Sequence, residues 1–173
     1  MKTDDPQKDL VEKHKKMFPS DHGFGFEFSQ GWFPMIAVMC DYIQSRIDYS
    51  IKSQKYALKY NAALKKLTEK GNWGPFLKLL RLDEATLSEV RRDEISKRTP
   101  LAVPEIIPQV VMTQIKEKFG TLRIYYTGGD EAIYGATSMV EGLSGIMCDV
   151  CGAPGIQVGS GWISTRCKDH ANV

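Results

Sequence analysis

Four residues near the end of the sequence have the types and spacing of metal ligands. Cys148 and Cys151 form a C-x-x-C pair, and Cys167 and His170 form a C-x-x-H pair after fifteen intervening residues. Two residues between ligands let the backbone turn so that both side chains reach one ion. Three thiolates and one imidazole make the tetrahedral shell that zinc prefers. The spacing therefore predicts a zinc site.

The predicted zinc has a structural role. Catalytic zinc usually keeps three protein ligands and an open position, whereas four ligands complete this shell. The H-x-E pattern of zinc deaminases is absent from the sequence. Gly152 and Gly155 follow the first pair and permit its tight turn. A segment of about 25 residues buries too little apolar surface to fold alone, so the metal would stabilise a small ribbon or knuckle.

The remaining cysteine and histidines predict no second chemical site. A redox role for Cys148 and Cys151 would require a thioredoxin-like βαβ setting, which the pattern does not provide. Cys40 lies alone in an apolar stretch and is expected to be buried. His14 and His22 lie in a polar segment with no recognisable nucleophile, so both are expected at the surface.

The composition is that of an ordinary globular protein. The chain has 173 residues, 42% hydrophobic and 25% charged, and 23 basic against 21 acidic residues give a net charge of +2. This balance argues against a strongly basic nucleic-acid domain. No apolar run is long enough to span a membrane, and the charged N-terminus does not resemble a signal peptide. We therefore expect a cytoplasmic protein without membrane partners.

The hydrophobic pattern predicts an α+β fold in one compact unit with four parts. They are a flexible segment at 1–22, a mainly helical region at 23–108, a β-hairpin and helix at 109–147, and the zinc knuckle at 148–173. Phe24, Phe26 and Phe28 alternate and predict a short strand.

Most of the second part is predicted to be helical. Apolar residues recur every three or four positions from Trp32 to Leu67, which predicts a long helix preceded by a Ser29 cap. The helix is either continuous or broken near 49–53, because some 40 residues is unusually long for a globular domain. Its apolar stripe would serve a homodimer as well as an internal core. A short helix at 76–82 and a second one capped by Asp83 should follow. The proline-rich 99–108 is expected to be an extended connector.

The third part should form a hairpin and an amphipathic helix. Residues 110–115 and 121–127 are rich in β-branched and aromatic side chains on either side of K-E-K-F-G. Asp130 is the expected cap of the helix that follows. The predicted inner stripe of that helix consists of Ile133, Ala136, Val140, Leu143 and Met147.

A ligand surface is predicted on this hairpin, because its cations and aromatic residues suit phosphate and base recognition. Two glycines before a helix can also hold an anion. The alternative is that the strand aromatics pack on a helix. Trp32 and Trp162 are expected to be packing anchors, unless they lie at an exposed edge and mark an interface. The predicted ligand residues are Lys116, Lys118, Arg123, Tyr125, Gly128, Gly129, Asp130 and Trp162.

Several stretches together resemble a group of small proteins from bacteriophages and prophages. They are Q-I-K-E-K-F-G-T-L-R-I-Y-Y-T-G-G-D-E-A-I-Y-G, C-D-V-C-G-A-P-G, G-W-I-S-T-R-C-K-D-H, and a G-W before the long helix. The likeness covers residues 23–50 and 109–170. It implies a phage origin and a zinc knuckle, but no reaction.

These observations favour a non-enzymatic phage accessory protein in the cytoplasm of a bacterial host. By analogy of origin, we expect it to bind a host protein or a small nucleotide signal as an anti-defence inhibitor. The alternative is a zinc-containing nucleic-acid-binding module, supported by the knuckle and the lysines of the long helix. A metal-dependent hydrolase or nuclease would need an open metal position or an acid–base cluster, and the sequence shows neither.

Overall fold

The computed structural model describes residues 6–19 and 25–171. Within them, the helices are α1 (Pro6–Lys13), α2 (Phe33–Lys70), α3 (Gly74–Leu80), α4 (Glu89–Ser96) and α5 (Glu131–Ser144). The strands are β1 (Phe26–Glu27), β2 (Val111–Lys118), β3 (Thr121–Thr127), β4 (Ile156–Val158) and β5 (Ser164–Arg166). β1 pairs parallel with β2 and β2 antiparallel with β3, while β4 and β5 form a separate antiparallel pair. The predicted α+β class is confirmed.

The chain forms two compact units, one of residues 1–47 with 107–173 and one of residues 48–106. α2 contributes residues to both, because it is continuous through 49–53, the stretch where the sequence left a break open. That stretch contains neither glycine nor proline to interrupt the helix. Among the helices described, none is long and apolar enough to cross a membrane.

The 48–106 unit has its own apolar core. Tyr60 of α2 meets Phe76 of α3 edge-on, with ring centroids 5.1 Å apart, and Ile95 of α4 joins the same cluster. The extended connector is confirmed, and Asn61 pairs with both backbone groups of Leu101 at 2.8 Å.

The single helix expected after residue 83 is instead two pieces. Asp83 caps only a 3₁₀ turn at 84–86, and Ser88 then caps α4 by accepting a hydrogen bond from the Arg91 N–H. The second cap starts a new helix because Ser88 itself has extended backbone angles.

The hairpin is confirmed, with a longer first strand than predicted. Phe119 and Gly120 form its two-residue turn with positive φ angles of 54° and 75°. Positive φ at both turn residues matches the right-handed twist of the flanking strands. Glu117 Oε1 accepts a hydrogen bond from the Gly120 N–H at 2.6 Å and holds the turn.

The helix α5 lies beside β3 and begins at the predicted cap, since the Asp130 side chain accepts from the Ile133 N–H. Two backbone N–H groups of β3 donate to α5 side chains: Leu122 to Ser144 Oγ at 2.8 Å and Ile124 to Glu141 Oε1 at 2.7 Å. These bonds turn a partly polar face of α5 toward the core.

The core-facing stripe of α5 therefore differs from the prediction. The four buried residues are Ile133, Thr137, Val140 and Ser144. Ala136 and Met147 are half-buried and Leu143 is exposed, although all three were expected inside.

The described part of the N-terminal segment packs into the core. Leu10, Met17 and Phe18 are buried, and the Met112 N–H donates to the Met17 carbonyl at 2.8 Å. Phe26 and Phe28 meet edge-on with ring centroids 5.7 Å apart. Phe24 and His22 lie outside the described residues.

His14 is buried, with 4% of its surface exposed, so its predicted surface position is wrong. Its Nε2 lies 3.0 Å from Asp41 Oδ1. No local pattern in the sequence connects these two residues, so this partner could not be predicted. Burial lowers the pKa of His14, although the Asp41 carboxylate opposes that shift. Cys40 is fully buried as predicted, and burial raises the pKa of its thiol to about 12.

Candidate metal centre and ligand surface

The four predicted metal ligands come together. The ligand atoms of Cys148, Cys151, Cys167 and His170 all lie within 4.8 Å of one another, close enough to bind one metal ion. Sγ of Cys151 is 3.7 Å from Sγ of Cys167, and His170 Nδ1 is 3.5 Å from Sγ of Cys148 and 3.2 Å from Sγ of Cys167. A tetrahedral zinc shell separates such donors by roughly 3.5–3.8 Å, whereas a disulfide requires about 2.05 Å.

The backbone around the first pair forms the tight turn that its glycines predict. The Gly152 N–H donates to the Cys148 carbonyl at 2.8 Å, and the Cys148 N–H donates to the Ala153 carbonyl at 2.7 Å. Gly152 has a φ of 75°, which favours glycine. A Cβ on Gly155 would lie 2.9 Å from the Arg166 backbone, so only a glycine fits between the two ligand pairs.

The first ligand pair is packed directly on Gly31 and Trp32. The Gly31 N–H donates to the Asp149 carbonyl at 2.7 Å, and Trp32 Nε1 donates to the Met147 carbonyl at 2.7 Å. A Cβ on Gly31 would lie only 2.5–2.6 Å from backbone atoms of residues 148, 149 and 151. The G-W pair thus supports the metal-binding turn, and the predicted packing role of Trp32 is confirmed by its complete burial.

The second ligand pair is tied to the hairpin through β5. Thr165 Oγ1 donates to the Gly120 carbonyl at 2.6 Å, and the Asp149 N–H donates to the Thr165 carbonyl at 2.9 Å. Arg166 Nε lies 2.9 Å from Asp149 Oδ1 in a largely buried ion pair. Thr165 of β5 therefore connects the first ligand turn to the tip of the β2–β3 hairpin.

The cysteines differ in their tendency to ionise. Burial opposes ionisation of Cys148, but hydrogen bonds from backbone N–H groups outweigh it and lower the pKa of this thiol to about 6. For Cys151, the backbone N–H of Ala153 favours the thiolate, yet burial and the neighbouring sulfurs raise the pKa overall. A thiolate at Cys148 is the form that binds a soft divalent cation.

Four predicted ligand residues share the outer face of the hairpin. The strand register places Lys116 opposite Arg123, and Tyr125 opposite Gln114, with Lys118 two residues along from Lys116. The Lys116 ammonium lies 5.5 Å from the centre of the Tyr125 ring. On the opposite face, Ile115, Leu122 and Ile124 are buried. On the outer face, Lys118 and Tyr125 are exposed while Lys116 and Arg123 are half-buried, and Arg123 Nη1 donates to Thr121 Oγ1 at 2.6 Å.

Three further predicted ligand residues, at the end of the hairpin and the start of α5, also have structural partners. Gly128 has a φ of 79°, and a Cβ there would lie 2.1 Å from the Gln109 carbonyl oxygen. The Gly129 N–H donates to the Pro108 carbonyl at 3.0 Å. Arg46 donates to both carboxylate oxygens of Asp130, from Nε to Oδ1 at 3.2 Å and to Oδ2 at 3.0 Å, and from Nη2 to Oδ2 at 2.7 Å. The Arg46 guanidinium lowers the pKa of Asp130, so this helix start already carries an anionic group.

Trp162 is 79% exposed in the loop between β4 and β5, so the packing role is wrong, and the alternative that it marks an interface stays a prediction. Phe119 at the hairpin turn is also exposed, and its carbonyl accepts from Gln157 Nε2 at 3.4 Å.

No protein-family model, curated protein or solved structure matches the chain.

Proposed function

We propose that this chain is a non-enzymatic binding protein whose C-terminal Cys₃His cluster holds one structural zinc ion. The observation that carries the proposal is the convergence of four soft-metal donors, from two sequence-distant pairs, within 4.8 Å. Three thiolates and an imidazole suit zinc better than calcium or magnesium, which take oxygen ligands.

A structural role for this metal is supported by its surroundings. The cluster offers four donors, as many as a tetrahedral zinc shell takes, and Cys148 and Cys167 are buried. The turn is packed against Gly31, and Thr165 connects β5 to the hairpin. Losing the ion would therefore disturb the hairpin position as well as the knuckle.

The ligand surface that we propose is the outer face of the hairpin, with Lys116, Lys118, Arg123 and Tyr125. Cations beside an aromatic ring suit an anionic ligand with a planar group, such as a nucleotide signal, or an acidic surface of a host protein. Together with the resemblance to phage proteins, this supports an anti-defence inhibitor that acts in the host cytoplasm.

Metal content tests the first part of the proposal. Elemental analysis of the purified chain should find one zinc per protein, and the Cys151→Ser and Cys167→Ser variants should lose it. Cys40→Ala is the matched control, because Cys40 is buried and is not one of the clustered ligands. A folded chain without a stoichiometric transition metal would refute the zinc centre.

The ligand surface is tested by co-purification from bacterial cells, with bound nucleotides and proteins identified by mass spectrometry. Replacing Lys116, Lys118 and Arg123 by alanine should remove the bound species while zinc content stays at one per chain. The control replaces Lys52, Lys55 and Lys59, which are exposed on α2, and removes the same charge. If both triple variants retain the bound species equally, the outer face of the hairpin is not the binding site.

Nucleic-acid binding is the second candidate, and the exposed lysines of α2 favour it. They are Lys52, Lys55, Lys59, Lys65, Lys66 and Lys70. Phosphate-driven binding must weaken steeply with salt, because each neutralised phosphate releases counterions. An anisotropy titration with labelled DNA and RNA at several salt concentrations tests this candidate. The absence of binding at low salt would exclude it.

A further inference from the structure

The charges of the 48–106 unit are unevenly distributed. Residues 48–82 contain eight basic and two acidic residues, whereas residues 83–106 contain four basic and six acidic ones. The excess of positive charge therefore lies in the C-terminal half of α2 and in the α3 region that follows it. A surface on which one charge sign predominates attracts ligands of the opposite sign.

Three lysines of this region border one cavity. Lys59 and Lys66 lie seven residues apart on α2, about 10.5 Å along the helix axis, and Lys78 lies on α3. The cavity has a volume of about 480 Å³, and no acidic side chain is among the residues that line it. This volume is in the range of small-molecule sites, roughly 300–1,000 Å³.

The ammonium groups of these three lysines have no carboxylate partner. None of the three side chains forms an ion pair or a hydrogen bond with another residue that the structure describes. By contrast, Lys65 on the same helix lies 3.8 Å from Glu69 Oε1. Positive charges around one cavity repel one another, so an anion bound between them would relieve that repulsion.

The two helices that carry the lysines are fixed by the core beneath them. Leu67 of α2 and Phe76 and Leu77 of α3 belong to one buried apolar cluster. In the short connection between the helices, the Asn72 N–H donates to the Lys66 carbonyl at 3.2 Å. The backbone of the site is therefore preformed, and only the lysine side chains have to be ordered when a ligand binds.

We propose that this cavity binds a small ligand with adjacent phosphate groups, either an organic di- or triphosphate or an inorganic polyphosphate. Lysine ammonium groups bind phosphate oxygens as point charges and need no fixed geometry. Because the lysines lie on both helices, neighbouring phosphates of one ligand can be bound from two sides. Pro75 and Leu79 also line the cavity and offer apolar contact to an organic part.

This inference goes beyond the proposed function, since it depends on neither the zinc centre nor the outer face of the hairpin. Lys66 and Lys78 are unchanged in both triple variants that test the hairpin, so failure here leaves the hairpin proposal untouched. Lys59 is replaced in the α2 triple variant. A phosphate ligand that the α2 variant loses and the hairpin variant retains therefore supports this cavity.

Isothermal titration calorimetry of the full chain at low salt tests the site, with ATP, tripolyphosphate and AMP as probes. We expect one ATP or tripolyphosphate per chain, bound about tenfold more tightly than AMP, which offers a single phosphate to three ammonium groups. Tighter binding of ATP would identify an organic ligand through the apolar wall. Tighter binding of tripolyphosphate would identify an inorganic one.

A pair of double variants ties this signal to the cavity. Lys66→Gln combined with Lys78→Gln should weaken binding of the tighter probe by about tenfold or more, because two of the three ammonium groups are lost. Lys55→Gln combined with Lys70→Gln is the control. It removes the same charge from exposed positions of α2 that do not line the cavity, and it should weaken binding by less than about threefold.

A single position separates charge from shape. Ala62 is exposed and lines the cavity, so Ala62→Glu places a carboxylate beside the lysines and should weaken binding by about tenfold. Ala62→Gln adds a side chain of nearly the same shape without the charge and should have a much smaller effect. Both residues are good helix formers, so neither variant should unfold α2.

Four results would overturn the proposal. The first is the absence of saturable binding of both polyphosphate probes at about millimolar concentration, where even weak binding is detected. The second is an equal effect of the two double variants, and the third is an equal effect of the two Ala62 variants. The fourth is an oligothymidine that binds more tightly than ATP with an affinity that grows with its length, which would assign these lysines to a nucleic-acid surface.

Discussion

Replacing Gly31 by alanine should destabilise the protein by disturbing the turn that carries Cys148 and Cys151. Gly31 precedes these ligands by more than a hundred residues in the sequence. The new Cβ would lie 2.5 Å from the Cys148 carbonyl oxygen, 2.6 Å from the Asp149 carbonyl oxygen and 2.6 Å from the Cys151 nitrogen. Ordinary contact begins at 3.4 Å, so the turn would have to move by about 0.9 Å. All three neighbours are backbone atoms, which cannot move aside as a flexible side chain can.

The expected loss has two parts. Overpacking at a buried site costs about 1–3 kcal/mol. Displacing the turn also breaks the 2.7 Å hydrogen bond from the Gly31 N–H to the Asp149 carbonyl, and leaving buried groups unpaired costs about 1–3 kcal/mol. We therefore expect the free energy of unfolding to fall by roughly 2–6 kcal/mol, a large share of the total for a domain of this size.

Urea unfolding at a fixed zinc concentration measures this loss. Gly135→Ala is the control, because it makes the same substitution on a helix with nothing within 4 Å and should stabilise by about 0.5–1 kcal/mol. Gly31→Ala should also weaken zinc binding in a competition with a coloured chelator, since the turn carries two ligands. If Gly31→Ala unfolds within about 0.5 kcal/mol of the wild type and binds zinc equally, the account of the G-W contact is wrong.

Three further changes address other contacts. Ser144→Ala leaves the Leu122 N–H without its acceptor and should cost about 1–3 kcal/mol in urea unfolding, with Ser138→Ala on the exposed side of α5 as the neutral control. Asp130→Ala should lower the free energy of unfolding by about 1 kcal/mol through the lost helix cap, whereas Asp130→Asn should keep most of the capping contribution. Thermal unfolding of both variants at high salt measures this difference. Burial lowers the pKa of His14 in the folded state, so its contribution to the free energy of unfolding should be full above the ordinary pKa of 6.5 and should be lost as the pH falls toward the folded pKa. A His14→Gln variant whose stability depends on pH as the wild type does would contradict this.

The metal ligands were predictable because their signal is local. C-x-x-C and C-x-x-H each place two ligands on one turn, and only the meeting of the pairs depends on the fold. The hairpin and the start of α5 were predictable for the same reason. β-branched residues, a turn glycine at Gly120 and a capping aspartate at Asp130 act within a few residues of themselves.

Long-range packing explains the features that the sequence did not reveal. His14 looks like a surface residue until α2 brings Asp41 within 3.0 Å of it. The periodicity of α5 fits two apolar faces, and only the bonds from β3 to Ser144 and Glu141 decide which of them is buried. For Trp162, a preceding glycine does not distinguish an exposed loop from a packed one.

The bonds between α5 and β3 also limit how other chains can join the sheet. An edge strand with free N–H groups is a template for adding a further strand, whether from a peptide ligand or from an aggregating copy. On β3, the Leu122 and Ile124 N–H groups already have acceptors on α5. Extension of the sheet past β3 would require this helix to detach, so α5 protects the protein against edge-to-edge assembly and fibril growth on that side.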